Sequence, residues 1–188
     1  MNQILLQSED ELISDLLEAG VVTWDDLVRS VRSFHYGRNS NRANLSLVWY
    51  ERKGSCSSKH AFLKHVADLC KIPNIELMLT FYKMNEINTP GIGSILKDNG
   101  LDHIPEAHCY IKDNGRELDV TTVQADFSRY SNVILETNVI QANDVIENKI
   151  SWHKAYIKNW MIETNQTNSF KEIWSIREAC IHQLSINK

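Results

Sequence analysis

The 188-residue sequence lacks most of the features that would assign it to a special class. It has four cysteines, Cys56, Cys70, Cys109 and Cys180, with no CxxC pair and no dense framework. That excludes a disulfide-stapled scaffold and leaves free thiols in a reducing, cytoplasmic compartment as the expectation. There are only three prolines and seven glycines, and no low-complexity segment, internal repeat or linker. A single domain over residues 1–188 is therefore expected. No apolar run reaches transmembrane length, and the start MNQILLQSEDEL has neither a basic n-region nor an apolar h-region. We expect no membrane contact and no secretory leader. A net charge of −4 lacks the basic excess of a nucleic-acid binder, so no nucleic-acid partner is expected either. Basic residues do gather at Arg38, Arg42, Arg52 and Lys53, ahead of Cys56. A solvated face is the first reading of that cluster, and attraction of a negatively charged substrate group is the second.

What is present is an ordinary folded composition, 43% apolar and 23% charged. Residues 8–17 read as a helix, with Ser8 and Glu11 at capping-box spacing and Gly20 as its stop. Thr23 caps a second helix, and residues 34–44 read as a loop. From Cys56, apolar residues recur at helical spacing until Pro73, and residues 75–82 read as a strand covered on both faces. Residues 83–104 form a long connection holding Pro90, Gly91 and Gly93, expected to act as a flap or lid. Asn114-Gly115 then marks a hairpin between strands at 107–112 and 117–121. A strand at 131–137 and a helical extension over about 143–187, broken at 165–169, complete the reading.

The chemistry-bearing residues lie at the centre of this arrangement. Cys56 opens a helix, where unpaired N–H groups and the dipole favour a thiolate. Gly54 would let the chain turn ahead of it, and Ser55 or Ser57 would cap it. A two-residue turn pairs Asp113 with Arg116, which carries Tyr110 opposite Asp119 and His108 opposite Thr121. His108 and Asp119 then become diagonal neighbours on one sheet face, roughly 7–8 Å apart at the backbone and within side-chain reach. A nucleophile (Cys56), a base (His108) and an orienting carboxylate (Asp119) follow. A zinc site from Cys56, His60 and Cys70 is the weaker alternative, because Cys70 lies almost four turns from Cys56. We expect no metal and no cofactor, and read His60 as a helix-surface or pocket-wall residue.

The strings GSCSSKHAFL, PEAHCYI and ELDVTT resemble the transglutaminase-like superfamily, whose fold is related to papain-like cysteine proteases. The resemblance covers roughly residues 53–122. It implies an α+β fold in which the helix of the nucleophile packs on an antiparallel sheet, with additional N- and C-terminal helices. It also implies acyl transfer on a peptide, protein or small amide substrate, with Cys56 as nucleophile, His108 as general base and then acid, and Asp119 as orienting carboxylate. Papain-like enzymes carry an oxyanion-binding glutamine six residues before the nucleophile. Tyr50 holds that spacing here, with Trp49 and Ser57 as further candidates for oxyanion or substrate binding. A catalytically silent binding or scaffold domain on the same fold is the competing reading.

Overall fold

The computed structural model describes residues 3–186, so Asn187 of the expected helical extension lies outside the described residues. The N-terminal layer is two short amphipathic helices, α1 (Glu11–Glu18) and α2 (Trp24–Ser33). Asp10, rather than Ser8, caps α1 by accepting the Leu12 N–H at 2.9 Å. Gly20, at φ +82°, closes the helix as expected. Thr23 and Asp26 form the capping box of α2. The segment expected to be a loop contains a two-residue strand, β1 (His35–Tyr36), which pairs in parallel with β2 (Lys53–Gly54) across a single-turn helix, α3 (Leu47–Tyr50).

Helix α4 (Cys56–Leu69) begins immediately after β2. Ser55 is its N-cap, and Ser55 and Ser58 exchange side-chain and backbone hydrogen bonds in a capping box. Gly54 is required for closeness rather than for a turn, because its φ is not positive. A Cβ there would lie 2.8 Å from Lys59 Cγ and 2.9 Å from Ser58 Oγ, so β2 can run hard against the first turn of α4 only without a side chain. Buried Ala61, Phe62, Leu63 and Val66 bring α4 into the main core with Leu77, Leu79, Ala107 and Cys109 of the sheet.

That sheet comprises β3 (Ile75–Met84), β4 (Ile104–Asp113), β5 (Arg116–Leu118) and β6 (Ile134–Ile140), in the order β5-β4-β3-β6 and antiparallel throughout. Asn114 and Gly115 both take positive φ, 48° and 80°, as a tight hairpin of this hand requires. The resulting register pairs Asp113 with Arg116 and Ile111 with Leu118. The ladder ends there, three residues short of the expected strand end. The Thr121 N–H turns instead to Asp119 Oδ1 at 2.8 Å, so the strand's own carboxylate takes the chain out of the sheet.

Helices α5 (Ile95–Asp98), α6 (Asp144–Glu147), α7 (Lys149–Glu163) and α8 (Phe170–Ile186) complete the α+β architecture. A second core joins Tyr82, Met84 and Ile104 to Leu96, Ile157, Trp160, Ile173 and Leu184. No helix among the described residues is long and apolar enough to cross a membrane. Because the cap of α4 fixes the first turn at the nucleophile, Ser55→Ala should lower the unfolding free energy by about 1 kcal/mol. Denaturant titration against Ser14→Ala, whose hydroxyl is exposed, checks this.

Candidate active site

Cys56 and His108 line a cleft of about 900 Å³, and Asp119 sits behind His108, outside the cleft lining. Asp119 Oδ2 lies 2.8 Å from His108 Nε2. With Nε2 so engaged, Nδ1 is the ring nitrogen left to the Cys56 thiol, and the two groups are near enough for each to shift the other's titration. The Asp119 backbone is held in turn by Arg32, whose Nη2 donates to the Asp119 carbonyl at 3.1 Å. Tyr130 and Tyr82 pack against the imidazole at ring-centroid distances of 5.0 and 6.4 Å and shield it from bulk water.

The electrostatics favour an ion pair. Burial alone would raise the Cys56 pKa, but the His108 charge and hydrogen bond, the Lys149 charge and the Cys109 backbone amide bring it from 9.0 to about 6. Burial likewise opposes the charge on His108, and Asp119 together with the thiolate outweighs it, so the imidazole pKa rises well above 6.5. Asp119 is held far below the usual carboxylate range: its own burial is overcome by the charge and hydrogen bond of His108. At neutral pH the arrangement is therefore thiolate, imidazolium and carboxylate in a row.

His60 is the residue that sequence reasoning misplaced. It is fully buried, and both ring nitrogens are committed to backbone. The Cys56 carbonyl can only accept, so His60 Nδ1 donates to it at 2.7 Å. The Val120 N–H can only donate, so Nε2 accepts from it at 2.8 Å. These partners fix a neutral tautomer, in keeping with a pKa pushed down to about 4 by burial. His60 thus straps the first turn of α4 to the chain that carries Asp119. The i, i+4 spacing from Cys56 was its only sequence signal.

Lys59 has the same tying function one residue earlier. It is buried, and its ammonium donates to the Phe34 and Thr121 carbonyls at 2.6 and 3.0 Å. On the opposite side of the site, Arg177 of α8 grips Glu106 of β4 in a bidentate pair, with Nε to Oε2 at 2.7 Å. Burial would raise the Glu106 pKa, but the guanidinium holds it at about 2. His153 of α7 donates from Nε2 to the Pro105 carbonyl at 2.8 Å, and burial pushes its pKa to about 4.

Several expected site residues fall elsewhere. Tyr50 is 53% exposed and lines no part of the cleft, and its hydroxyl donates to Asp15 at 2.5 Å. Trp49 is buried in the core, with Arg52 stacked 3.4 Å from its ring centroid. Neither can receive an oxyanion. Ser57 does line the cleft, with Oγ 3.7 Å from Cys56 Sγ. Pro90 and Gly91 also line it, and Gly93 does not. Asn88 ties this segment to the Lys83 carbonyl, Ile92 is fully buried, and a Cβ on Gly91 would lie 2.6 Å from Leu184 Cδ2 of α8. The basic cluster divides as well: Arg38 and Arg42 reach the cleft while Arg52 and Lys53 do not. Among the described residues no group of three or more His, Cys, Asp or Glu side chains is placed to hold a metal ion.

No protein-family model, curated protein or solved structure matches this chain.

Two pH dependences follow. Alkylation of Cys56 should follow a midpoint near pH 6 and move toward 9 in His108→Ala, as read by mass spectrometry across pH. Stability should change through His60 and His153, whose folded pKa values near 4 lie below the unfolded value of 6.5. Above 6.5 both states are neutral and the contribution is complete. As pH falls from 6.5 toward 4 the unfolded chain takes up protons that the folded one refuses, and stability is lost. By pH 5 each histidine should cost about 1–2 kcal/mol. In His153→Gln, whose amide can still donate to Pro105, urea titrations at pH 7 and 5 should differ by that much less.

Proposed function

We propose that this protein is a cysteine-dependent acyl-transfer enzyme of the transglutaminase-like type, acting on an amide or peptide carbonyl. The juxtaposition of Cys56, His108 and Asp119, with His108 hydrogen-bonded to Asp119 and the Cys56 thiol opening on a cleft of about 900 Å³, is the observation that carries this reading. A nucleophile at the N-terminus of a helix packed on an antiparallel sheet, with the base on the neighbouring strand, supports the papain-like comparison.

In this reading the Cys56 thiolate attacks the carbonyl carbon and forms the C–S bond. The developing oxyanion sits at the N-terminus of α4, where the first-turn amides have no acceptor of their own within the helix. Ser58 and Lys59 N–H are already taken by Ser55, so the Cys56 and Ser57 amides are those left for this role. The His108 imidazolium gives its proton to the leaving nitrogen as the C–N bond breaks, leaving a thioester and a neutral imidazole. Water then loses a proton to His108 and attacks the thioester, which releases the acid and restores the thiolate. Hydrolysis is the outcome we assign; an amine taking the place of water would give transamidation by the same steps.

Cys56→Ala should abolish turnover of amide and peptide substrates while leaving circular dichroism unchanged. Asp119→Asn should keep the histidine's neighbour but remove the charge that stabilises imidazolium, lowering kcat about 10³–10⁴-fold. A folded protein whose amide turnover survives Cys56→Ala would sink the reading, and one that turns over no amide would be a scaffold on this fold.

A further inference from the structure

The chain carries a net charge of −4, yet five cationic side chains line the cleft against only two carboxylates. Both carboxylates are already engaged. Glu106 is held by Arg177, and Glu178 accepts from Arg177 Nη1 at 2.7 Å and Arg38 Nη2 at 2.9 Å. Lys149, at the first position of α7, is different. It is nine-tenths buried, and its ammonium donates to the Ala107 carbonyl at 2.9 Å with no carboxylate in ion-pair range among the described residues. An ammonium has three protons to place, and burying its charge without a counter-ion is costly.

Two more groups face the same cleft. Arg42, exposed on its rim, makes no ion pair among the described residues, and Thr121 lines it beside the Asp119 carboxylate. The Cys56 thiolate and the Glu106 carboxylate each offset part of the Lys149 charge without pairing with it. Acylation of Cys56 removes the thiolate and the imidazolium charge together, so the excess of cations over carboxylates on the cleft persists at the thioester stage.

We propose, building on the acyl-transfer reading, that the substrate supplies the missing charge: it is an amide whose acyl portion carries a carboxylate, received by Lys149 and Arg42. The carboxylate enters with the acyl group and stays through the thioester stage, when the excess of cations on the cleft is unchanged. Lys149 and Arg42 are thereby specificity residues, and neutral amides of the same shape are the discriminated competitors.

Paired alkylating reagents test this without any knowledge of the natural substrate. Iodoacetate and iodoacetamide attack the same thiolate and differ in one carboxylate, so their rate ratio at Cys56, divided by the ratio for free cysteine, isolates carboxylate recognition from thiol activation. At low salt this normalised ratio should favour iodoacetate about tenfold or more, and it should fall as salt is added. Lys149→Gln and Arg42→Gln should each lower it several-fold. Arg52→Gln, whose guanidinium lies on Trp49 outside the cleft, should leave it unchanged. A normalised ratio near one, or one that neither cleft variant moves, overturns the proposal. Slow iodoacetamide labelling with the carboxylate preference intact would fail the acyl-transfer reading and keep the anion site. Fast labelling with no preference would do the reverse.

Discussion

The Asp119 carboxylate is the constraint around which the site is built. Buried and charged, it must be matched on every side or it could not remain ionised. One oxygen meets the His108 imidazole, and the other accepts the amide of Thr121 two residues on. Those two contacts decide more than the charge state of one residue. The first holds the histidine ring with a single nitrogen left for the thiol. The second ends the β5 ladder and swings the chain away from the sheet, bringing the Val120 amide to His60 and the Thr121 carbonyl to Lys59. Helix α4 is thereby tied to the hairpin at two successive residues.

Ionisation of the pair is also nearly silent in stability over part of the pH range. Just above pH 6.5 the folded site holds one proton on His108, and the unfolded chain holds one on the Cys56 thiol. The two states then differ little in protons bound through this pair, so its activation imposes little pH dependence on folding there. The acid side is different, because His60 and His153 are buried neutral and resist protonation. The groups that position the site, rather than those proposed to react in it, set its acid limit.

The parts of this arrangement legible in the sequence were those with a local grammar. The Asn114-Gly115 turn fixed the hairpin register as far as Ile111–Leu118, one residue before Asp119, although the expected Tyr110–Asp119 and His108–Thr121 pairs do not form. The Gly54–Ser58 stretch marked a capped helix at Cys56. Cap identity at α1 was misread by two residues, because Ser8 and Asp10 are both good caps and only the helix start separates them. What the sequence hid depends on contacts between distant segments. Nothing around Lys149 or Arg177 announces that α7 and α8 return to β4, and Tyr50 matched a spacing whose meaning depends on a loop path that this chain does not follow. Gly91 was read as part of a flap, and nothing in the sequence signalled that its lack of a side chain allows close packing against Leu184.

The strap made by His60 has a consequence for the order in which the protein is made. Helix α4 and its cysteine leave the ribosome before β4, β5 and the turn that bears Asp119. Until that hairpin docks, the thiol has no imidazole, no carboxylate behind it and no tether on its first turn, and it titrates as an ordinary cysteine. Reactivity therefore arrives with the last long-range contacts rather than with the nucleophile itself, and a nascent or truncated chain is chemically quiet.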